Sequence, residues 1–386
     1  MRAGHPWIFS NSVRKQNREG ISGELAAIYD RKDEFLAVGF FDPDSPIRVR
    51  VLHTGKPMVI DEAFWKTRLR TALGRREGLF DDRTTGYRII NGESEGWPGL
   101  VLDRYGPILA VKIYTAAWVE RLPRLTALIR EHVPTEGILL RISRNIQTIA
   151  GPVRDGTWLY QSEATRNSDG KVVFLENGLR LEADVLRGQK TGFFLDQREN
   201  RLSVGGLAHG RSVVNAFSFS GGFSLYAARA GATSVTDLDI SAHALSAAKR
   251  NFDLNATDPS VARCPHDTIQ ADAFEWLAKK TERKFGLIVL DPPSLAKRES
   301  ERARAIRAYE KLAASALAHL ADDGILVASS CSAHVSAEEF FASVRRAFDK
   351  NRRKFAELKT TRHAADHPAT FKEAEYLKAV YVRAIN

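Results

Sequence analysis

The fold is indicated first by residues 213–223, Val213-Val214-Asn215-Ala216-Phe217-Ser218-Phe219-Ser220-Gly221-Gly222-Phe223. The β-branched start of this stretch is typical of a buried strand, its serines and glycines of a turn, and its end of a helix start. Small residues let a ligand approach the backbone, and a helix N-terminus presents free N–H groups. The stretch therefore predicts a strand, a turn and a helix around a small ligand, with contacts from Asn215, Phe217, Ser220, Gly221 and Gly222.

Strands and helices alternate from about residue 181 onward. The predicted strands are Val213–Phe217, Ser234–Ile240, Phe285–Leu290 and Gly324–Ser329. The predicted helices are Phe223–Ala230, the helix that runs from the N-cap Ser241 through Asn251, and Ala303–Leu320. This order predicts an α/β fold, with a mostly parallel sheet covered by helices on both faces. In such sheets, ligands bind beyond the carboxyl ends of the strands.

The first 180 residues follow a different pattern, rich in β-strands. In the first part, the predicted elements are the strands Glu24–Tyr29, Phe35–Phe41 and Ile47–Leu52 and the helix Asp61–Leu73. In the second part, they are the strands Tyr87–Ile90, Gly99–Asp103, Ile108–Tyr114 and Gly137–Ile142 and the helix Trp118–His132. The pattern predicts three domains: a β domain at 1–70, a small α+β domain at 71–180 and the α/β domain at 181–386.

Composition and charge exclude several classes of protein. The chain has 386 residues, is 44% hydrophobic and 27% charged, and contains two cysteines, so a disordered chain or a disulfide framework is excluded. No apolar run approaches the ~20 residues that span a bilayer, and the first residues resemble no signal peptide. A cytoplasmic location without membrane contact is expected. The net charge of +10 favours a polyanionic partner, most simply nucleic acid.

Carboxylates after successive strands indicate a nucleoside-containing cofactor. Asp239 ends the strand that follows the glycine turn, where a carboxylate can accept hydrogen bonds from both ribose hydroxyls. Asp272 follows the next polar segment, where it could meet an adenine amino group, and Ile240 and Ala273 adjoin the two carboxylates. The glycines do not fit G-x-G-x-x-G, and no phosphate-binding P-loop motif occurs. The set therefore favours S-adenosylmethionine over NAD, and no metal is expected.

Two motifs carry candidate reactive groups. Asp291 begins Asp291-Pro292-Pro293-Ser294, where the prolines end a strand, and Cys331 lies in Ser330-Cys331-Ser332 beyond the last predicted strand. A thiolate that adds to carbon-6 of a pyrimidine turns carbon-5 into a nucleophile for a sulfonium methyl group. An acid at ring nitrogen 3 stabilises the electron shift. Cys331 and Asp291 are therefore the predicted catalytic pair, and Asp291, at the rim beside the cofactor, is also expected to contact it.

These residues resemble the large-subunit ribosomal RNA methyltransferase I family, bacterial enzymes that form 5-methylcytosine in 23S rRNA. The resemblance covers nearly the whole chain. It rests on His5-Pro6-Trp7-Ile8-Phe9-Ser10, Asn91-Gly92-Glu93-Ser94-Glu95-Gly96, Lys190-Thr191-Gly192-Phe193-Phe194-Leu195-Asp196-Gln197-Arg198, the glycine turn, Asp291-Pro292-Pro293, Ser330-Cys331-Ser332 and Ala364-Ala365-Asp366-His367-Pro368. The segment from Lys190 to Arg201 is the most specific of these.

The resemblance implies an N-terminal PUA-like RNA-binding domain, a central α+β domain and a Rossmann-like methyltransferase domain. Because the chain starts almost at His5, the PUA-like domain is expected to be shortened at its start. The family implies that Cys331 is the nucleophile and that Asp291 contacts the base. It also implies that the segment with Asp196, Gln197 and Arg198 closes over the cofactor. The implied partner is 23S rRNA, naked or in an assembling large subunit, and a homodimer is left open.

Two other functions stay open at this point. A methyltransferase acting on a purine nitrogen would leave Cys331 without a chemical role, although Ser294 stands where many amino-methylating enzymes carry an aromatic residue. A non-catalytic RNA-binding assembly factor could retain the cofactor fold. Cys264 lies outside any motif and is expected to be structural, and His367 is a candidate for the base that releases the product.

Overall fold

The structure is a computed structural model, and it describes residues 4–279 and 282–385. The chain divides into two compact units. The first unit takes the chain up to Gly178, together with Ala183–Leu195 and Ala365–Phe371. The second unit takes Leu179–Glu182, Asp196–Ala364 and the chain from Lys372 onward. The domain boundaries at residues 70 and 180 stay predictions.

A four-stranded antiparallel sheet begins the first unit. Its strands are β1 (Trp7–Phe9), β2 (Leu25–Tyr29), β3 (Phe35–Phe41) and β4 (Ile47–Thr54). The strands lie in the order β1-β4-β3-β2, with every neighbouring pair antiparallel. The predicted hairpin across Asp42-Pro43-Asp44-Ser45-Pro46 is present, because these residues favour a turn between two apolar strands.

A five-stranded sheet with two helices makes up the middle of the chain. Its elements are α1 (Glu62–Gly74), β5 (Gly86–Asn91), β6 (Leu100–Tyr105), β7 (Ile108–Ile113), α2 (Leu122–His132), β8 (Gly137–Ile142) and β9 (Trp158–Gln161). The strand order is β5-β6-β7-β8-β9, and only the β7–β8 pair is parallel. The helix predicted from Trp118 begins at Leu122 instead. Pro123, which lacks an N–H, fits the first helical turn but not a helix interior.

A seven-stranded sheet forms the second unit. The strands and helices that follow β9 along the chain are β10 (Lys171–Glu176), β11 (Leu179–Asp184), α3 (Arg198–Ala208), β12 (Ser212–Ala216), α4 (Gly222–Arg229), β13 (Ser234–Asp239), α5 (Ala242–Leu254), α6 (Pro259–Arg263), β14 (His266–Gln270), α7 (Ala273–Ala278), β15 (Phe285–Leu290), α8 (Arg302–Leu317), β16 (Leu320–Ser330), α9 (Ala337–Lys350), β17 (Lys354–Thr361) and β18 (Lys378–Ile385). The sheet order is β14-β13-β12-β15-β16-β18-β17. The first five strands are mutually parallel, β18 pairs antiparallel with β16, and β17 pairs antiparallel with β18. The mostly parallel sheet confirms the predicted α/β fold.

The predicted helix Ala303–Leu320 is too long at its end. Helix α8 ends at Leu317, and Leu320 already pairs with Phe285 in the sheet. An irregularity follows this pair, and Asp323 adopts a left-handed φ of 58° in it. Leu320 fits the helical period in the sequence, but its side chain is 2% exposed as part of the sheet. Tertiary pairing therefore overrides the helical pattern here.

Gly221 is the N-cap of α4 and ends the short turn that follows β12. It lies in the left-handed region at φ 73°, where other residue types are strained. A Cβ atom at this position would lie 2.7 Å from Asp237 Oδ2 and 2.8 Å from the Cβ of Ala248 in α5. The turn thus needs glycine for its backbone conformation and for its close approach to a neighbouring helix.

No helix in residues 4–279 or 282–385 is both long and apolar enough to cross a membrane.

Replacing Gly221 with alanine should destabilise the second unit. The left-handed conformation alone costs about 1–2 kcal/mol for a residue with a Cβ atom, and the two short contacts add to that cost. Urea unfolding followed by circular dichroism measures the loss. Gly206→Ala is the matched control, because Gly206 lies in α3 with open space around its Cβ position. The control should stabilise the helix by about 0.5–1 kcal/mol. Equal unfolding midpoints for both variants would contradict this account of the turn.

Candidate active site

Five parallel strands of the second unit end at the same edge of the sheet. Along that edge the order is β14, β13, β12, β15 and β16. Ala216 at the end of β12 pairs with Leu238 of β13 on one side and with Leu290 of β15 on the other. Leu290 in turn pairs with Ala328 of β16. The residues that follow these strands therefore lie side by side. The chain runs from β12 outward to β13 and β14, and its next strand, β15, lies on the other side of β12, so the strand order reverses at β12.

The turn after β12 has an unusual backbone. Phe217 and Phe219 both adopt left-handed conformations, with φ values of 62° and 48°. Such conformations in bulky residues cost free energy and cluster at functional sites. Asp239, at the end of β13, helps to hold the turn, because its Oδ2 accepts a hydrogen bond from the Phe219 N–H at 2.9 Å. The other oxygen of Asp239 accepts a hydrogen bond from the Ser241 N–H at 2.9 Å.

Three buried polar atoms surround the same turn. Asn215 Oδ1, Ser218 Oγ and Ser220 Oγ form no hydrogen bond with any residue that the structure describes. The three residues are at most 5% exposed. A buried polar group without a partner costs about 1–3 kcal/mol, and a bound ligand is one explanation for such groups. The turn therefore fits a small molecule that carries its own hydrogen-bonding groups.

The ends of β13 and β14 carry three more of the predicted cofactor residues, Ile240, Asp272 and Ala273. Ile240 is 67% exposed, so a large apolar side chain faces solvent directly after β13. Asp272 is the N-cap of α7, and its Oδ1 accepts hydrogen bonds from the N–H groups of Phe274 at 2.7 Å and Glu275 at 3.2 Å. Ala273 is buried as the first residue of α7. The cap explains why an aspartate suits position 272, and its contact with adenine stays a prediction.

Asp291 directly follows β15 and is oriented by a chain of side chains. Its Oδ1 accepts a hydrogen bond from Gln197 Nε2 at 2.8 Å. Gln197 Oε1 accepts from Asn200 Nδ2 at 2.6 Å, and Asn200 Oδ1 accepts from the Tyr381 hydroxyl at 3.0 Å. Thr361 also donates to Asn200 Oδ1 at 2.6 Å. The structure thus brings two predicted residues, Gln197 and Asp291, into direct contact.

The segment from Lys190 to Arg201 contributes residues to both units. In the second unit, Asp196 Oδ2 accepts a hydrogen bond from the Tyr376 hydroxyl at 2.8 Å. Arg198 is 3% exposed, and its Nη2 donates to Glu199 at 3.2 Å. In the first unit, Thr191 donates to Asp103 Oδ2 at 2.6 Å. Each half of the segment is therefore fixed by side-chain hydrogen bonds within its own unit.

Cys331 follows β16 at the same edge of the sheet. It is partly exposed, and its Sγ lies 3.9 Å from the carbonyl oxygen of Pro292, the residue after Asp291. Cys264 is 8% exposed, and burial raises the pKa of its thiol. A buried thiol with a raised pKa is a poor nucleophile at neutral pH. Of the two cysteines, Cys331 is therefore the one that a substrate can reach.

A buried hydroxyl network lies beneath Cys331. Ser332 Oγ accepts hydrogen bonds from the N–H groups of Leu295 at 3.1 Å and Ala296 at 3.3 Å. The same oxygen lies 2.8 Å from the Tyr309 hydroxyl and 3.1 Å from Ser294 Oγ. Ser294, at the fourth position of the proline motif, is thus tied to the residue after Cys331. The network fixes the distance between the loops that follow β15 and β16.

Tyr309 and Lys378 are residues of this region that the sequence did not predict. Tyr309 lies within an ordinary helical pattern in α8, and nothing near it in the sequence indicates its role. Lys378 directly precedes the apolar run Ala379-Val380-Tyr381-Val382. A lysine at the start of a buried strand is unusual, so the sequence could have identified it as a residue with a special role. His367, the predicted candidate base, pairs through Nδ1 with Asp366 at 2.9 Å in the first unit.

Comparison with known proteins identifies the kinds of domain in the chain. The sequence profile of the S-adenosylmethionine-dependent methyltransferases matches residues 156–344, and that of the PUA-like domain matches residues 1–54. A solved structure of SMU.776, assigned as a methyltransferase and containing S-adenosylhomocysteine, has a TM-score of 0.84 at 22% identity and covers 99% of this chain and 96% of its own. The fold and the profile define a Rossmann-like methyltransferase whose cofactor is S-adenosylmethionine, with a PUA-like domain at its N-terminus.

Two curated relatives narrow the class to a family. The ribosomal RNA large subunit methyltransferase of Deinococcus radiodurans is 55% identical, over 99% of this chain and 94% of its own length. The ribosomal RNA large subunit methyltransferase I of Tolumonas auensis is 35% identical, over 99% of this chain and 96% of its own length. The chain belongs to the ribosomal RNA large subunit methyltransferase I family.

Replacing Ser332 with alanine should destabilise the protein by about 2–3 kcal/mol, because the N–H groups of Leu295 and Ala296 would lose a buried acceptor. Urea unfolding measures the change. Ser246→Ala is the matched control, because that hydroxyl donates only to the Ala242 carbonyl on an exposed face of α5. The control should change stability by less than about 0.5 kcal/mol. A similar small change for Ser332→Ala would contradict the proposed importance of the network.

Proposed function

We propose that this protein transfers a methyl group from S-adenosylmethionine to carbon-5 of a cytosine in 23S ribosomal RNA, with Cys331 as the nucleophile. One observation carries the proposal. Cys331 Sγ lies 3.9 Å from the carbonyl oxygen of Pro292, beside Asp291, so a thiol and a carboxyl group follow neighbouring strands at the cofactor edge. A purine-nitrogen methyltransferase would need the carboxyl group but not the thiol.

The choice of ribosomal RNA as substrate rests on relatives, domain content and charge. The curated relatives carry the name of large-subunit ribosomal RNA methyltransferases. A PUA-like domain precedes the methyltransferase domain, and the net charge is +10. Positive charge favours binding to phosphates at any sequence, whereas a single base must be splayed out of its helix to be modified. The substrate is therefore proposed to be an unpaired or flipped cytosine, in naked RNA or in an assembling large subunit.

The cofactor is proposed to lie across the ends of β12, β13 and β14. Asp239 would bind the ribose hydroxyls, Ile240 would cover the adenine face, and Asp272 would meet the adenine amino group. The turn after β12 would hold the amino-acid end of the cofactor through Ser218 and Ser220, whose hydroxyls fit that role because they are buried without partners among the described residues. The bound cofactor supplies an electrophilic methyl group on a positively charged sulfur.

The first chemical task of the protein is to activate carbon-5 of the cytosine. The Cys331 thiolate adds to carbon-6, which forms an S–C bond and breaks the carbon-5–carbon-6 double bond. The displaced electron pair moves through carbon-4 toward nitrogen 3, which takes a proton from the Asp291 carboxyl group. Carbon-5 is then an enamine carbon that can accept the methyl group. Gln197, which donates to Asp291 Oδ1 at 2.8 Å, orients the carboxyl group for this transfer.

The second task is to release the product. After methylation, the proton on carbon-5 passes to water, and the electrons of that C–H bond re-form the carbon-5–carbon-6 double bond. At the same time the S–C bond at carbon-6 breaks, and its electron pair returns to sulfur as the Cys331 thiolate. Nitrogen 3 returns its proton to Asp291, which restores both groups. Other RNA cytosine-5 methyltransferases use a second cysteine near the position of Ser294 for release, and the serine here donates to the Ala296 carbonyl at 3.1 Å.

Replacing Asp239 with alanine should weaken S-adenosylmethionine binding at least tenfold. A hydrogen bond to a charged group contributes about 1.5–3 kcal/mol, and about 1.4 kcal/mol corresponds to a factor of ten in affinity. Isothermal titration calorimetry measures the dissociation constant. Asp267→Ala is the matched control, because Asp267 is an exposed carboxylate on the neighbouring strand β14. If Asp239→Ala bound the cofactor as tightly as the control, the proposed ribose contact would be wrong.

An RNA that carries 5-fluorocytosine at the target should become covalently joined to Cys331. Fluorine cannot leave carbon-5 as a proton does, so the reaction should stop after methyl transfer with the S–C bond intact. Denaturing electrophoresis with labelled RNA measures the shifted band. Cys331→Ala should abolish both turnover and the band while cofactor binding is retained, and Cys264→Ala should leave both unchanged.

The methylation assay and the calorimetric measurement together separate the competing functions. Normal methylation by Cys331→Ala, without a covalent band, would indicate a purine-nitrogen methyltransferase. A chain that binds RNA but fails to bind S-adenosylmethionine by calorimetry would indicate a non-catalytic assembly factor. Either outcome would overturn the proposed reaction.

A further inference from the structure

Lys378 is a fully buried lysine next to the reactive cysteine. It is the first residue of β18 and is 1% exposed. In the antiparallel pairing of β16 with β18, Lys378 lies opposite Ser330, the residue that precedes Cys331. Lysines are almost never fully buried unless their charge is compensated or used. Its position therefore calls for an explanation beyond packing.

Three backbone carbonyl groups surround the Lys378 amino group. Nζ donates hydrogen bonds to the carbonyl oxygens of Ser332 at 2.5 Å, Val335 at 2.6 Å and Tyr376 at 3.1 Å. An ammonium group has three N–H donors, whereas a neutral amine has two. Three acceptors therefore match the charged form. Two of them belong to the loop that begins at Cys331, so the ammonium group also fixes the backbone of that loop.

Burial and four charged groups affect the pKa of Lys378. Burial is the largest effect and lowers the pKa of Lys378 to about 8. Negative charge at Cys331, and to a smaller extent at Glu339 and Glu338, raises the pKa, whereas Arg362 lowers it. Both glutamates, which lie in α9, are already engaged with arginines: Glu339 with Arg302, and Glu338 with Arg362 at 3.3 Å. Among the described residues, Cys331, when ionised, is the group whose negative charge raises the pKa of Lys378 most.

We propose that the Lys378 ammonium group stabilises the thiolate form of Cys331 and so acts as a positioning residue for the nucleophile. This inference rests on the proposed function, in which that thiolate adds to the base. Electrostatic interaction between two titrating groups is reciprocal. A thiolate at Cys331 favours the protonated lysine, and a protonated lysine therefore favours the thiolate by the same free energy. A nearby lysine is one of the environments that make cysteines reactive.

The interaction has a defined pH range. Lys378 carries its charge below about pH 8 and loses it as the pH rises through that value. The benefit to the thiolate is therefore largest at neutral pH and disappears in alkaline solution, where an unassisted thiol ionises by itself. A lysine that only held the loop through its hydrogen bonds would not shift the ionisation of Cys331.

The experiment uses the full chain with the Cys264→Ala substitution, so that Cys331 is its one thiol. The rate of alkylation by iodoacetamide is measured from pH 5.5 to 10, and its midpoint gives the ionisation of Cys331. The wild-type midpoint should lie below the ordinary value of about 8.5. Lys378→Gln, which keeps donors but removes the charge, should raise the midpoint by at least about one unit, a tenfold loss of thiolate at pH 7.

Two further variants control for structure. Lys378→Arg keeps the positive charge and should keep the midpoint near that of the wild type. Lys359→Gln removes an exposed lysine from the neighbouring strand β17 and should leave the midpoint unchanged. Binding of S-adenosylhomocysteine by calorimetry checks that each variant is folded. A lower unfolding temperature for Lys378→Gln with an unchanged midpoint would overturn the proposal, because the lysine would then be only structural.

The wild-type measurement alone can also overturn the inference. If Lys378→Gln does not fold, a wild-type midpoint at or above about 8.5 is sufficient to reject it. The alkylation assay needs no RNA, so its failure is distinct from that of the proposed function. An unshifted thiol together with a covalent 5-fluorocytosine band would reject the role of Lys378 and retain the nucleophile. A lysine-dependent shift without the band would support the interaction and reject the proposed reaction.

Discussion

The site depends on one constraint, the parallel pairing of β12 with β13 on one side and β15 on the other. Because all three strands run in the same direction, the turn after β12, Asp239 and Asp291 emerge at one edge of the sheet. The chain moves outward to β13 and β14 and then returns across β12 to β15 and β16. The loops on the two sides therefore diverge, and the crevice between them has cofactor candidates on one side and reactive candidates on the other.

Much of this arrangement could be predicted from the sequence because each candidate follows an apolar strand. The bounds of Phe285–Leu290 and Gly137–Ile142 were predicted correctly, since both are apolar runs, interrupted in the second only by Arg141, that are ended by turn residues. The Ser241 cap was also correct, and its Oγ accepts from the Ala244 N–H at 3.2 Å. Strand β1, of three residues, was missed because it is too short to show a period. Leu320 was assigned to a helix because the spacing of apolar residues does not show which strand a residue will pair with.

The supporting groups could not be predicted in the same way. Gln197 meets Asp291, and Tyr309 meets Ser332, only because distant segments of the chain are brought together. No local pattern encodes such contacts, and the residue types involved are common in exposed helices and loops. The roles assigned to Asp239, Asp272, Asp291 and Cys331 stay predictions, since position at a strand end identifies a candidate but not the group that it binds.

The buried hydroxyls of Ser218 and Ser220 have a consequence for the amount of active protein in a cell. Without a partner among the described residues, they lower the stability of the cofactor-free form. A cofactor that satisfied them, as proposed above, would bind only the folded chain, so at one hundred times its dissociation constant it would add about 2.7 kcal/mol to stability. Chaperones and proteases continuously remove unfolded chains. The lifetime of the protein should therefore follow the supply of S-adenosylmethionine, so that methylation capacity declines when methyl donors become scarce.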